Sequence, residues 1–353
     1  MTDERKAYYW LHTSGLSLRR RHALLEIYGA PSEIMADLGS EKLREFCGGA
    51  YDEMLRRADE NVLNEELYGL RRKGLRLLVT GHPGYPEKLA ACEEYPPHVL
   101  YCKGNTELLG RPTLAVVGSR ASTDYGRRVA GEWAAELSGT FVIVSGHATG
   151  IDTYALRGAL DAGGSVICVL ACGHDRFDMP EFLSAAGDRA LVMSAYPPGF
   201  VANKFVYHER NRLLSGISDG VLIVEAGEKS GALITATAAA EQGKPLFAVP
   251  GSVNSTRSAG TNGLLRNGAT AATRPGDVLE DMGYERGSAA EEPILTGERA
   301  TVAELLREGD KHFDDIAAKL GKSAGETAEL LGEMEMEGIV ERKMMNNYSL
   351  LVR

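Results

Sequence analysis

The sequence predicts an α/β protein whose core is a buried parallel sheet, preceded by a helical domain and followed by a winged helix. Three observations carry this. Between about Leu75 and Gly283 short β-branched runs alternate with helical segments, the pattern of a parallel sheet with helices on both faces. From Ala7 to about Leu70 the apolar residues recur at helical spacing. Beyond a polar linker, three helical patterns and two short extended runs follow in the order of a winged helix-turn-helix. The expected domains are residues 1–72, residues 73–283 and, after a linker at 284–295, residues 296–353. At roughly 150 residues per domain, the length agrees with two or three.

In the first region Tyr9, Leu11, Leu16, Leu18, Leu24, Leu25 and Tyr28 mark the apolar face, and Gly15, Gly29, Pro31 and Gly48-Gly49 punctuate it. A small helical bundle is expected. Gly15-Leu-Ser-Leu18 ahead of Arg19-Arg20-Arg21 admits two readings. One is a helix-hairpin-helix whose amides meet a DNA phosphate; the other is a solvated helix face, which the degenerate hairpin favours. In the middle region the expected strands are Leu114–Val117, Phe141–Val144, Val166–Leu170, Leu191–Met193, Val221–Val224 and Leu246–Val249. Helices are expected at Tyr125–Leu137, Ile151–Asp161, Ala232–Gln242 and Thr261–Asn267. The last region has helical patterns at Val302–Leu306, Ile316–Leu320 and Thr327–Met336, with a wing from 338–342 and Asn347–Leu350. It carries eight Lys and Arg against twelve Asp and Glu. A helix that reads a DNA groove should be basic, so a protein-contacting or structural role is expected for it.

Composition narrows the function. A net charge of −10 argues against a surface broadly coated for nucleic acid; any such site must be concentrated. Five cysteines without a Cys-x-x-Cys pair make a disulfide framework or structural zinc site unexpected. The longest apolar run, Val166 to Cys172, is far below the ~20 residues of a membrane span. The polar start, Met1 to Lys6, leads into no signal-type segment, and a cytoplasmic location is expected. The 41 glycines are more than the typical ~7%, and they gather at strand ends.

Those strand ends are where chemistry is expected. The first strand ends Val117-Gly-Ser-Arg120, and the second Val144-Ser-Gly146, leading through Gly150-Ile-Asp152 into a helix. Val221–Val224 leads through Glu225 and Lys229-Ser-Gly231 into another. In an open parallel sheet the ligand crevice lies at the carboxyl ends of the strands, and helix starts with free N–H groups there suit phosphate. Convergence with Arg120 and Lys229 points to an anion pocket. No Gly-x-Gly-x-x-Gly follows the first strand, and no Walker loop, His-Glu-x-x-His or Gly-x-Ser-x-Gly is present. Ser119, His147, His174 and Asp152 have no spacing that requires a triad; polar loop residues are expected. In Asn203 to Ser215, Lys204, Arg210 and Arg212 are interleaved with Phe205 and Tyr207, the mixture of cations and aromatics used for single strands. Phe205 is expected in the core and Tyr207 on the binding side.

These residues closely resemble the DNA-processing protein A (DprA, or Smf) family. The matching set is Val117-Gly-Ser-Arg120, Thr123-Asp-Tyr-Gly126, Ser145-Gly146, Gly150-Ile-Asp152, Arg210-Asn-Arg212, Val224-Glu-Ala226, Lys229-Ser-Gly231, Leu233-Ile-Thr235, Val249-Pro-Gly251 and Gly260-Thr-Asn262, in order over more than 140 residues. The resemblance implies an extended Rossmann-like core with a SAM-like N-terminal domain and a C-terminal winged helix. It also implies a homodimer without a cofactor or catalytic residues. The implied role is to bind and protect incoming single-stranded DNA in natural transformation and to load the RecA recombinase. Carried over by motif, the DNA-binding residues are Gly118, Ser119, Arg120, Ser145, Gly146, Lys204, Tyr207, Arg210, Asn211 and Lys229. Thr149 stands where the family motif has Arg, Ala195 where a Glu is common, and His208 where it has Pro. The alternative is a nucleotide-binding or nucleoside-monophosphate-hydrolysing enzyme of the lysine-decarboxylase-like Rossmann group. It would need a carboxylate poised at the ribose, with Glu225 and Asp152 as candidates, and the Pro-Gly-Gly-x-Gly-Thr of that group is missing.

Overall fold

Nine strands pair into one sheet: β1 (Arg76–Val79), β2 (Val99–Gly104), β3 (Thr113–Val117), β4 (Val142–Ser145), β5 (Val166–Leu170), β6 (Ala190–Ser194), β7 (Gly220–Ile223), β8 (Leu246–Ala248) and β9 (Thr270–Ala271). The computed structural model describes residues 3–203, 205–284, 297–307, 309–336, 339–343 and 346–350. They divide into two compact units, Met1–Glu285 and Arg286–Arg353. The sheet order is β1-β2-β6-β5-β4-β3-β7-β8-β9. From β6 to β9 neighbouring strands run parallel, whereas β2 is antiparallel to both β1 and β6. All six expected strands are present to within one residue.

Side-chain alternation divides the core. On one face Leu114 and Val116 of β3 pack with Val129, Ala134, Ile151 and Leu156, from the helices Asp124–Leu137 and Ile151–Asp161. On the other, Ala115 and Val117 pack with Leu213, Ile217, Ala232 and Ala236, from Val206–Gly216 and Ala232–Glu241 and the residue that follows the first of these. Both faces are therefore covered, which is why these strands read as continuous apolar runs. The two helices of the first layer approach backbone to backbone: a Cβ on Gly158 would overlap the Gly131 carbonyl.

β1 and β2 were not foreseen. Their inner side chains, Leu77, Val79, Val99 and Tyr101, share a core with Trp10, Leu24, Ile34, Leu43, Met54 and Leu63 of the N-terminal helices. Those helices span Asp3–His12, Leu18–Tyr28, Pro31–Ala36, Glu41–Cys47, Tyr51–Arg57 and Glu60–Arg72. They break where glycine and proline dictate: Gly15 and Gly29 take φ of +79° and +81°, and Pro31 opens a helix, where its missing N–H costs nothing.

The second unit contains helices Glu298–Arg307, Phe313–Leu320 and Ala324–Met336. Its sheet is β10 (Lys311–His312), β11 (Val340–Arg342) and β12 (Asn347–Leu350), in the order β10-β12-β11. Val302, Leu306, Ile316, Leu331, Met334 and Tyr348 form its core. This is the winged-helix arrangement, with β10 an addition to the expected wing. Residue 338 and linker residues 285–295 lie outside the described residues.

The contact at Gly158 generates a prediction. Gly158→Ala should destabilise the protein by about 1–3 kcal/mol, the usual cost of forcing packed backbones apart, measured by denaturant unfolding. An unchanged midpoint would show that the two helices part without penalty.

Candidate nucleic-acid interface

The strand order reverses at β3. From β3 the chain proceeds outward through β4, β5 and β6, then places β7 on the other side of β3. Crevices form outside the carboxyl ends of strands at such a reversal. A cavity of about 690 Å³ opens there, lined by Gly118, Ser119 and Arg120 beyond β3, by Tyr207, Arg210 and Asn211, and by Ser230-Gly231 beyond β7. A second, of about 290 Å³, continues over Gly146, His147 and Thr149 and shares Arg120, Tyr207 and Arg210 with the first.

Two buried carboxylates build the walls. Asp152 accepts the N–H groups of Gly118 (3.4 Å), Gly146 (3.2 Å) and Ala148 (3.3 Å). Burial pushes its carboxyl above the ordinary range, opposed by the charge of Arg210 and by those N–H groups. Glu225 accepts the Thr123 N–H (2.8 Å) and hydroxyl (2.9 Å), while its own carbonyl takes the Ser119 N–H at 2.7 Å. The strand ends also need glycine. A Cβ on Gly118 would lie 2.6 Å from Ile151, and one on Gly150, at φ +90°, would press on the carbonyls of Ser119 and Arg120.

The helix starts differ from expectation. The Ile151 N–H is donated to Ser119 O (3.3 Å) and the Ala232 N–H to the Ser230 hydroxyl (3.3 Å). These two leading N–H groups are therefore already used, and the charge that attracts an anion comes from side chains. Arg210 supplies most of it. Only 6% exposed, it passes so close to Gly146 that a Cβ there would overlap its guanidinium. Its Nε has no hydrogen-bond partner, and no carboxylate among the described residues forms an ion pair with it. Its guanidinium lies over the Tyr207 ring at 5.8 Å, and that of exposed Arg120 over the same ring at 5.2 Å.

Seven of the ten expected residues line these cavities: Gly118, Ser119, Arg120, Gly146, Tyr207, Arg210 and Asn211. Ser145 does not. It is fully buried, and its hydroxyl donates to Val116 O at 2.7 Å, tying β4 to β3. Lys229 is exposed in the turn after β7 and lines neither cavity; Lys204 lies outside the described residues. Phe205, expected in the core, is 72% exposed. The helix buries Val206, Arg210, Leu213 and Leu214, a stripe that leaves the preceding residue facing out. Arg212 turns away from the crevice to Glu93 (3.2 Å) and Glu241. Ala202, Asn203 and Thr235 also stand in the walls and were not named as site residues; Asn203 opens the stretch of cations and aromatics and Thr235 closes the Leu233-Ile-Thr235 motif, whereas Ala202 carries no residue-type signal. His147 adopts φ +54° and packs edge-on to Phe177 at 5.4 Å. His174 engages the Tyr101 carbonyl at 2.9 Å. Neither forms a triad with Asp152. Among the described residues no group of three or more His, Cys, Asp or Glu is placed to hold a metal ion, and no helix is long and apolar enough to cross a membrane.

Residues 76–283 match the family described as DNA recombination-mediator protein A. The chain belongs to that family. Residues 286–343 match the DprA winged helix domain. Among curated relatives, a putative DNA processing protein DprA of Mycobacterium tuberculosis is 34% identical over 320 residues, covering 83% of this chain and 80% of that one. Protein Smf of Escherichia coli is 33% identical, covering 78% of each. Among solved structures, DprA of Streptococcus pneumoniae superposes with a TM-score of 0.68 at 32% identity, over 81% of this chain and all of that one. DprA of Helicobacter pylori, solved for its single-stranded DNA binding mode, superposes with a TM-score of 0.52 at 31% identity, over 59% of this chain and 95% of that one.

The close passage of Arg210 over Gly146 yields a double-mutant prediction. Gly146→Ala should cost about 1–3 kcal/mol of stability in the natural background and much less in an Arg210→Ala background. The coupling should reach at least about 0.5 kcal/mol by denaturant unfolding. Additive losses would place the guanidinium elsewhere.

Proposed function

We propose that this chain binds single-stranded DNA in the crevice at the carboxyl ends of β3, β4 and β7. In this reading it is a homodimeric recombination mediator that protects incoming DNA in natural transformation and loads RecA. The observation that carries the DNA reading is Arg210, a buried guanidinium without a carboxylate partner among the described residues, set with Arg120 beside the half-exposed face of Tyr207. A cation held out of water needs a counter-anion, and a cation beside an aromatic face suits a phosphodiester with an unpaired base. The DNA-binding residues of this reading are Gly118, Ser119, Arg120, Gly146, Tyr207, Arg210 and Asn211, with Lys229 and Lys204 added by the family motif alone. The DNA processing proteins among its relatives and the single-stranded DNA binding of the H. pylori neighbour support the same reading.

A role without catalysis is supported by how the acidic residues are engaged. A nucleoside-monophosphate hydrolase needs a carboxylate free to act at the ribose. Asp152 already accepts three backbone N–H groups, and Glu225 accepts two bonds from Thr123.

Binding should favour single strands over duplex with little sequence preference, and should weaken with salt at a slope near −0.7 per neutralised phosphate. A gel-shift series with oligo-dT, duplex and mononucleotide competitors tests this; equal affinity for duplex would sink the reading. Arg120→Ala and Tyr207→Ala should each lose about 1–3 kcal/mol of binding, with unchanged melting for exposed Arg120 and a folded protein for Tyr207, whose ring packs only at the edge of the small cluster of Ala171, Tyr196 and Val206. Normal binding by both folded variants would move the interface elsewhere.

The winged helix, with twelve acidic against eight basic residues, is proposed to recruit a partner or set assembly size rather than touch DNA. Leu331 and Met334 are buried in its own core, whereas Met336 is 85% exposed. Truncation after about Gly287 should leave single-strand affinity nearly unchanged while altering mass by light scattering. A tenfold loss of affinity, about 1.4 kcal/mol, with unchanged assembly would show instead that the wing meets the strand.

A further inference from the structure

The turn Gly15-Leu-Ser-Leu18 and the arginines after it are not absorbed by the crevice. Arg19 lies over Tyr95 at 5.4 Å and Arg20 over Phe46 at 5.3 Å, which leaves them as surface packing. Arg21 turns the other way. It lines a cavity of about 770 Å³ bounded by the turn itself, by Lys73 at the end of the helix Glu60–Arg72, and by the segment 195–209.

Arg21 resembles Arg210 in forming no ion pair among the described residues, although Glu209 acts on it at longer range. Its Nη1 donates to His12 Nδ1 and His12 O, both at 2.9 Å, and its Nε has no partner. Burial together with the neighbouring Arg21 and His98 pushes His12 toward its neutral form, an acceptor for the guanidinium that brings no charge to balance it. Burial also lowers Arg21 to about 10, opposed by Tyr101 and Glu209, so it stays cationic at neutral pH. Of the acids on the wall, Glu66 pairs with Arg57 at 2.8 Å, while Glu209, which faces Arg21, accepts the Tyr196 hydroxyl at 2.9 Å. Exposed Lys73 adds a second cation. On the same wall the rings of Tyr196 and Phe200 stack at 4.5 Å and 13°.

The topology places this cavity beside the crevice. It opens beyond the carboxyl end of β6, at Ala195 to Pro198, and one stretch of chain separates the two. That stretch presents Phe200, Val206 and Glu209 to one cavity and Ala202, Tyr207 and Arg210 to the other. We propose that the cavity between the Gly15–Leu18 turn and the 195–209 segment is a second nucleotide subsite, in which Arg21 and Lys73 hold a phosphodiester and Phe200 supports a base of the same single strand after it leaves the crevice. This rests on the crevice reading and extends it: short strands engage the crevice alone, and longer ones reach both.

Strand length separates the two sites. Lys73→Ala, at an exposed position, and Arg21→Gln should bind oligo-dT of about 5 nucleotides as the unaltered chain does. Both should bind oligo-dT of about 30 nucleotides roughly tenfold more weakly. Lys73→Ala should also reduce the salt slope for the longer oligomer by about 0.7. Unchanged affinity and slope for the long strand in folded Lys73→Ala protein would overturn the subsite, whatever Arg21→Gln does to folding. Equal losses on short and long strands would also overturn it, by assigning these residues to the crevice. If the unaltered chain bound neither oligomer, the crevice reading itself would fall and the subsite with it.

Discussion

The carboxylate of Asp152 is the hinge of the site. It gathers backbone N–H groups from the ends of both β3 and β4, through Gly118, Gly146 and Ala148, and so fixes two loops from neighbouring strands relative to each other. With Gly146 held there, the open space over its missing Cβ becomes the passage for the Arg210 guanidinium. The negative charge of Asp152 also offsets part of the cost of burying that cation, without an ion pair that would neutralise it. The glycines, the carboxylate and the guanidinium form one device: each needs the others at close range, and a Cβ or a missing charge in any of them disturbs the rest.

Electrostatics explains how a chain of net charge −10 could still engage an anion. Its charges are sorted by pairing. Arg212, Arg57 and Lys88 form ion pairs with carboxylates and join elements of the fold, whereas buried Arg210 and half-buried Arg21 feel Asp152 and Glu209 only at longer range and lie against Tyr207 and His12. Helix starts contribute less than the strand-end pattern implies, since the leading N–H groups at Ile151 and Ala232 already have acceptors in the protein. Attraction in such an arrangement is local and depends on guanidinium placement, so long-range steering by the whole surface adds little to it.

The layering follows from the same economy of close contacts. Glycines at 131 and 158 bring two helices together on one face, and alanine-rich Ala232–Glu241 lies close against the other. The N-terminal helices cover the antiparallel margin, where β1 and β2 would otherwise expose apolar side chains. This margin also brings the Gly15–Leu18 turn to the carboxyl end of β6.

Much of this was legible in the sequence. Parallel strands buried on both faces appear as β-branched runs whatever their partners, so the six central strands, the glycine-marked strand ends and the winged helix were determined by local pattern alone. That strand ends of an open sheet converge placed an anion pocket near Arg120, and the resemblance to the family supplied the rest of the residues named for it. The tertiary structure decided what local pattern cannot encode. β1 and β2 are strands because the N-terminal helices supply a face for Leu77, Val79, Val99 and Tyr101 to bury. Arg210 and Arg212 are two residues apart and therefore on nearly opposite sides of a helix. Which of them would be buried in the crevice and which would meet Glu93 depended on how that helix packs. Ser145 was expected at the DNA, and Asp152 and Glu225 were the carboxylates a hydrolase would have needed; long-range hydrogen bonds to Val116, Gly118 and Thr123 engage all three in holding the fold. Sequence specifies which groups are present; only packing decides which of them keep an unmet charge or hydrogen bond for a ligand.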